Sequence, residues 1–284
     1  MGDVAKRLGQ LAAKSMESES SNILKTAVAN KVSLSKALDA TLKKSHDMKV
    51  FGLGTLASMA SRQRYARFTG SMYAVYRTME EELDLSAAVS QPVATVWNPY
   101  GSVLRRSERL EQDWLDVQQN ISISPEHNLT NEALWSTATA AYVHSIREAG
   151  KYDREHAGGR LLGHLYCRYF ADLFGGSVLA TPYRVALGLP SNTPRHYEFD
   201  FNAEGIGGNR RALVEGVYSS INEAATYLTM DQEDQVAEES MKAFQHNVHV
   251  YSEDGKLYQD SLRGGLNVVT GLVADKLRFG TKTA

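Results

Sequence analysis

The chain has 284 residues, with 31 Lys and Arg set against 33 Asp and Glu and a formal net charge of −2, a balance that carries no bulk basic signal for nucleic acid. Apolar residues at 43% and charged residues at 23% describe a globular chain able to bury a sizeable core. A single cysteine, Cys167, excludes an internal disulfide and a cysteine-rich metal site and suits a reducing compartment; no run of about 18 apolar residues offers a transmembrane anchor.

Along the chain, residues 1–32 mix Lys and Arg with Ser and Ala. Asp3, Glu17 and Glu19 speak against a transit peptide, and Lys6 stands where a myristoylation signal wants Ser or Thr. The segment is expected to be an N-terminal extension, helical over 3–28 or mobile. Helices are expected at 33–48 and 53–61. Tyr65, Phe68, Met72, Val75, Tyr76 and Met79 recur at three- and four-residue intervals and predict a helix over 63–83. Further helices are expected at 102–119 and 130–149. Leu161, Leu162, Leu165, Tyr166, Tyr169 and Leu173 predict one over 155–176, followed by 178–188. Residues 189–207, with Pro190, Pro194, Gly205 and Gly207, read as a loop whose one strand-like stretch is His196–Phe201. Helices at 208–228 and 232–260 follow, the latter carried by Ala237, Met241, Phe244, Val248 and Tyr251. The fold class is all-α: a multihelical single domain over 33–260, with a tail at 261–284.

The most informative segment is 163–177. It is an aromatic amphipathic stretch with one carboxylate, Asp172, beside the pair Gly175 and Gly176. Paired glycines inside a helix cost about 1 kcal/mol each relative to Ala. They mark either a kink where backbone comes close to a flat ligand or an ordinary helix C-cap. Both readings stand on the residues alone.

Tyr166, Arg168, Tyr169, Ala171, Asp172, Leu173, Gly175, Gly176 and Leu179 resemble the distal-helix signature of the haem oxygenases. Tyr73 to Glu82, Arg106 to Asp113, Tyr142 to Gly150, and Phe244 with Asn247 resemble other helices of that family, in its order, across about 33–258. The resemblance implies a haem oxygenase-like fold and O₂-dependent cleavage of haem to biliverdin, CO and iron, with haem as both substrate and cofactor. Electrons would come from a ferredoxin or a flavoprotein reductase. It further implies that Asp172 holds the proton-delivering water network, with Gly175, Gly176 and Ala171 beside the porphyrin. His46 would be the iron ligand, although a gapless match puts Lys43 there, one turn earlier. Tyr166, Arg168, Phe244 and Arg211 would complete the cofactor site. The lack of a membrane-tail pattern favours a soluble protein, of cytosol or plastid stroma.

The chain departs from the family pattern at four places. Ala171 replaces a glycine, and Asp39, Glu215 and Ser219 stand where cations usually hold the haem propionates; Arg210 and Arg211 lie one turn earlier. These departures keep a second reading open, a non-catalytic relative that binds haem, a bilin or a protein partner. A di-iron oxidase would want Glu-x-x-His pairs, which the chain lacks. A thiaminase-like hydrolase would want a Cys nucleophile, and Cys167 is the one cysteine. His246 and His249 have metal-pair spacing without a carboxylate motif, His164 reads as a core hydrogen-bonding group, and His127, His144, His156 and His196 read as surface residues.

Overall fold

Ser61, Ser90, Ser136, Asn209 and Thr229 each stand just ahead of a helix and turn a side-chain oxygen onto a free backbone N–H of its first turn. The computed structural model describes residues 33–44, 48–118, 129 and 131–280. Among these residues there are ten α-helices and no strand. In order they are α1 (Ser33–Lys44), α2 (Met48–Ser58), α3 (Arg62–Ala87), α4 (Gln91–Leu104), α5 (Ser107–Gln118), α6 (Thr137–His156), α7 (Arg160–Leu187), α8 (Arg210–Ala224), α9 (Met230–Ser252) and α10 (Leu257–Gly280). None of them is long and apolar enough to cross a membrane. The helix expected over 3–28 falls outside the described residues.

Four differences from the sequence reading have local causes. Helix α4 was not expected because of its two prolines; Pro92 sits in the first turn, where no N–H is needed, while Pro99 is tolerated inside the helix. The expected 155–176 and 178–188 helices are one, because the glycine pair lies within α7 and the helix ends only at Gly188, which takes the left-handed conformation at φ 60°. The last expected helix stops at Ser252, and α10 then covers residues expected as tail. Gly264 lets α10 settle on α2, since a Cβ there would lie 2.8 Å from the carbonyl carbon of Leu56. The stretch His196–Phe201 is a 3₁₀ turn (Arg195–Tyr197) and loop rather than a strand.

Helix α7 runs through the middle of the bundle. Leu161, Leu162, Leu165, Tyr166, Tyr169, Phe170 and Leu173 cover about half of its circumference and are all buried, and His164, Arg168 and Asp172 on another face are buried as well, so the helix is enclosed by its neighbours on every side. It packs against α9 and α10, while α3 packs on α5 and α6. Gly159 has no side chain to cap the start of α7; Asp153 of α6 does so instead, accepting from Arg160 N at 2.7 Å and Leu161 N at 2.9 Å.

Gly163 sets how closely α7 and α9 approach. A Cβ there would sit 2.7 Å from Ser240 N and closer still to the carbonyl of Val236. Because the obstruction is backbone, Gly163→Ala is expected to destabilise the protein by about 1–3 kcal/mol, read as a lower urea midpoint at unchanged slope.

His246 of α9 stacks on Tyr142 at 5.1 Å, and burial lowers its pKa from 6.5 to about 4. The unfolded chain takes up this proton near the ordinary value while the folded chain refuses it, so the unfolded state binds more protons between the two. Stability is therefore expected to be fully present above about pH 6.5 and to fall as pH drops to about 4. Urea midpoints across that range should lose this slope in His246→Phe.

Candidate functional site

Two rows of side chains run along α7 on opposite faces, because residues four apart share a face and a two-residue offset reverses it. His164, Arg168 and Asp172 form a polar row, all three buried. Tyr166, Phe170 and Phe174 form an aromatic row, also buried. A carboxylate and a guanidinium inside a core are tolerated only when each has partners, and neighbouring helices supply them.

The Asp172 carboxylate accepts the Tyr76 hydroxyl of α3 at Oδ2, and its Oδ1 lies 3.7 Å from the Arg168 guanidinium. Arg168 donates to Asn247 Oδ1 of α9 at 3.0 Å, and its guanidinium lies 5.1 Å over the Tyr76 ring. Asn247 is held by its own donation to Ala243 O at 2.9 Å. Burial pushes the Tyr76 phenol well above its ordinary pKa, so it remains a hydrogen-bond donor. One turn earlier, His164 Nε2 faces Glu239 Oε2 at 3.2 Å, in the core as expected. Cys167 is buried and burial pushes its thiol up to about 11, which leaves no reactive thiolate for a hydrolase.

Gly175 and Gly176 lie one turn beyond Asp172 and are buried. Gly176 is covered by the 189–207 loop: a Cβ there would meet Tyr197 Cβ and O at 3.1 Å. That loop is fastened by buried charge. Asp113 accepts from Arg195 N at 2.7 Å, His196 N at 3.1 Å and His196 Nδ1 at 2.7 Å, while Arg106 donates to the carbonyls of His196 and Glu198. His196 is thus a core residue, 2% exposed, and the surface assignment is corrected: a buried carboxylate claims its ring. Ala171 shares a face with Gly175, four residues on, and is partly exposed.

On the aromatic row, the Tyr166 hydroxyl donates to Asp39 of α1, and Tyr218 of α8 donates to the same oxygen at 2.8 Å. Tyr218 also packs edge-on against Phe170 at 4.8 Å. Phe244 is buried on α9, on the Asn247 side of α7. The structure therefore brings Asp172 and Arg168 together, sets Tyr166 on the opposite face, and leaves Arg211 out. The Arg211 side chain is 60% exposed and paired with Glu215 at 2.7 Å, because the two are one turn apart on the outer side of α8. His46 lies outside the described residues, and Lys43 is in the last turn of α1 with its side chain likewise outside them. Among the described residues no group of three or more His, Cys, Asp and Glu is arranged to hold a metal ion, so His246 and His249 make no such site. Sequence reasoning gave no role to Tyr76, Tyr218 or Glu80; the Tyr-x-x-Tyr spacing of Tyr73 and Tyr76 was the available signal for the first.

Removing the guanidinium leaves the buried Asp172 carboxylate without its cation. Arg168→Met is expected to cost about 3 kcal/mol of folding stability, more than Asn247→Ala, measured by urea unfolding at neutral pH.

A family model described as "Heme oxygenase" matches residues 32–253. Heme oxygenase 1 of Gallus gallus is 30% identical over 256 residues, 89% of this chain and 75% of that protein. Heme oxygenase 1 of Synechocystis is 27% identical over 228 residues, 78% of this chain and 85% of that one. Among solved structures, heme oxygenase-2 of Synechocystis in complex with heme and NO superposes with a TM-score of 0.62 at 22% identity, covering 84% of this chain and 92% of that one, which is a likeness of fold.

Proposed function

The chain belongs to the haem oxygenase family, and we propose that it binds haem and cleaves it, with O₂ and external electrons, to biliverdin, CO and iron. The observation that carries this reading is the Asp172 carboxylate, held by a phenol and a guanidinium one turn before a glycine pair inside an unbroken helix. When bound, haem supplies the iron at which O₂ is reduced and the porphyrin carbon that is oxidised.

The residues of the polar row fit that group. Tyr76 occupies Asp172 Oδ2 as a donor, and the Arg168 guanidinium lies 3.7 Å from Oδ1, so each carboxylate oxygen has a partner. A carboxyl group fixed in this way orients water and passes protons to a reacting oxygen beside the glycine backbone. Gly175 contributes by having no side chain on the Ala171 face. On the family resemblance, His46 would hold the haem iron through a neutral imidazole, Lys43 would be a nearby cation, and Phe244 and Tyr166 would line the site from α9 and α7. A ferredoxin or flavoprotein reductase is the electron donor in this reading. Arg211, exposed and paired with Glu215, is not carried forward as a propionate anchor.

Two observations favour a second reading, haem binding without turnover. Asp39 is an anion tied to Tyr166 and Tyr218, on the face where the family resemblance implies cations for propionates. Ala171 puts a methyl group on the Gly175 face.

Haemin titrated into the purified protein is expected to give a saturable Soret band that bleaches into bilin absorbance when ascorbate or a reductase is supplied. Asp172→Asn should keep the Soret titration and lower the rate of bilin formation by roughly 10²-fold. Undiminished turnover in that variant would remove Asp172 from the proton path, and absence of a Soret band would remove haem as the ligand. Binding without turnover in the wild type, relieved by Ala171→Gly, would establish the second reading.

A further inference from the structure

Three buried aromatic side chains lead from Asp172 toward the exposed carboxylate of Asp84. Tyr76 meets Tyr169 edge-on with ring centroids 5.2 Å apart, and Tyr169 lies 6.1 Å from Trp97 of α4. Each carries its polar hydrogen toward a carboxylate. The Tyr76 hydroxyl donates to Asp172. The Tyr169 hydroxyl faces Glu80 Oε1 at 3.5 Å, and Trp97 Nε1 donates to Asp84 Oδ1 at 2.7 Å. Tyr76, Tyr169 and Trp97 are all buried, Trp97 at 3% exposure, and the row meets solvent only through the Asp84 side chain, which is 49% exposed.

Oxidising a buried phenol or indole by one electron makes it a strong acid. Leaving the positive charge in a low-dielectric core is costly unless the proton departs as well. A carboxylate at each ring removes that cost. At rest the same surroundings keep the phenols neutral: burial pushes Tyr76 and Tyr169 well above their ordinary values, and burial also raises Glu80, which makes it a better proton acceptor. Trp114 provides the contrast, since its buried indole N–H has no hydrogen-bond partner.

We propose that Tyr76, Tyr169 and Trp97 form a hole-transfer chain that carries an oxidising equivalent from the Asp172 site to the surface at Asp84. The proposal rests on the haem-oxygenase reading for the source of the oxidant, a hydroperoxide-derived species formed when turnover misfires. Tyr76 gives that oxidant one electron and passes its proton to Asp172. Tyr169 then gives an electron to the Tyr76 radical, which recovers its proton from Asp172, while the Tyr169 proton moves to Glu80. Trp97 reduces the Tyr169 radical in the same way, with proton return from Glu80 and proton transfer from Nε1 to Asp84. A small reductant at the surface, of the ascorbate or thiol class, supplies the last electron, and Asp84 returns the last proton. The net change is one electron from reductant to oxidant, with every side chain restored.

The test has two arms. In the first, haem-free protein carrying Trp114→Phe and Trp135→Phe is photo-oxidised with ruthenium tris-bipyridine and persulfate and followed by time-resolved absorbance. Started from the surface end, the hole is expected to pass back across the same contact, the Trp97 radical decaying as a tyrosyl radical grows, and Tyr169→Phe is expected to slow that exchange by an order of magnitude. In the second, haemin-loaded protein is treated with hydrogen peroxide, freeze-quenched for EPR, and mapped by spin-trap adducts on its peptides. Adducts are expected at Trp97 and not at Trp114; Tyr169→Phe should lower the Trp97 adduct by an order of magnitude while its haemin affinity stays unchanged. Trp97→Phe serves as the second variant and should lengthen the life of the tyrosyl signal. Equal labelling of Trp97 and Trp114, or decay and labelling indifferent to Tyr169→Phe, overturns the chain. Failure to take up haemin overturns the functional reading, and the first arm still decides the chain.

Discussion

A guanidinium in the middle of a helix that is buried on every side has to be neutralised and hydrogen-bonded, and the arrangement around Arg168 follows from that requirement. Arg168 sits between His164 and Asp172 at helical spacing, so one face of α7 is polar while the rest is apolar. The partners come from two directions: Asn247 on α9, and Tyr76 on α3 by way of Asp172. These contacts tie the central helix to its neighbours at fixed rotation. A slip of one residue would turn a cation and a carboxylate into apolar surroundings, at a cost of several kcal/mol. The same contacts leave Asp172 with its charge balanced and its position defined, which are the properties a proton-holding group needs.

The glycine pair works with this constraint rather than against it. Glycines weaken a helix, yet α7 continues through Gly175 and Gly176, because Tyr197 closes over Gly176 and the loop bearing Tyr197 is itself anchored by Asp113 and Arg106. Packing and buried hydrogen bonds here outweigh an unfavourable propensity of about 1 kcal/mol per glycine. On the opposite face the chemistry is reversed in sign: Asp39 gathers the Tyr166 and Tyr218 hydroxyls. One helix thus presents a cation–carboxylate row to α3 and α9 and an anion-gathering row to α1 and α8.

Much of this was legible in the sequence. The three- and four-residue recurrence of apolar residues predicted the long helices, since such periodicity needs only one buried face to read correctly. The paired glycines with an upstream Asp and Arg marked the central segment. Helix α4 was not legible, because Pro92 and Pro99 act as breakers in any local reading although each is accommodated where it stands. The break at Ser252 and the run of α10 to Gly280 were missed because the apolar pattern is weak there and the contacts that order it, Gly264 on Leu56 among them, are distant in sequence.

The amino-acid order alone determined the all-helical class and the identity of the segment bearing Asp172, because both depend on spacing within single helices. It left open which face of α7 meets which neighbour, and so whether Arg168 and Asp172 share partners, whether His196 is buried, and whether Arg211 reaches the site. Those outcomes depend on side chains 79 to 96 residues apart meeting across helices. Proximity of that kind arises from packing the whole bundle, and no local pattern carries it.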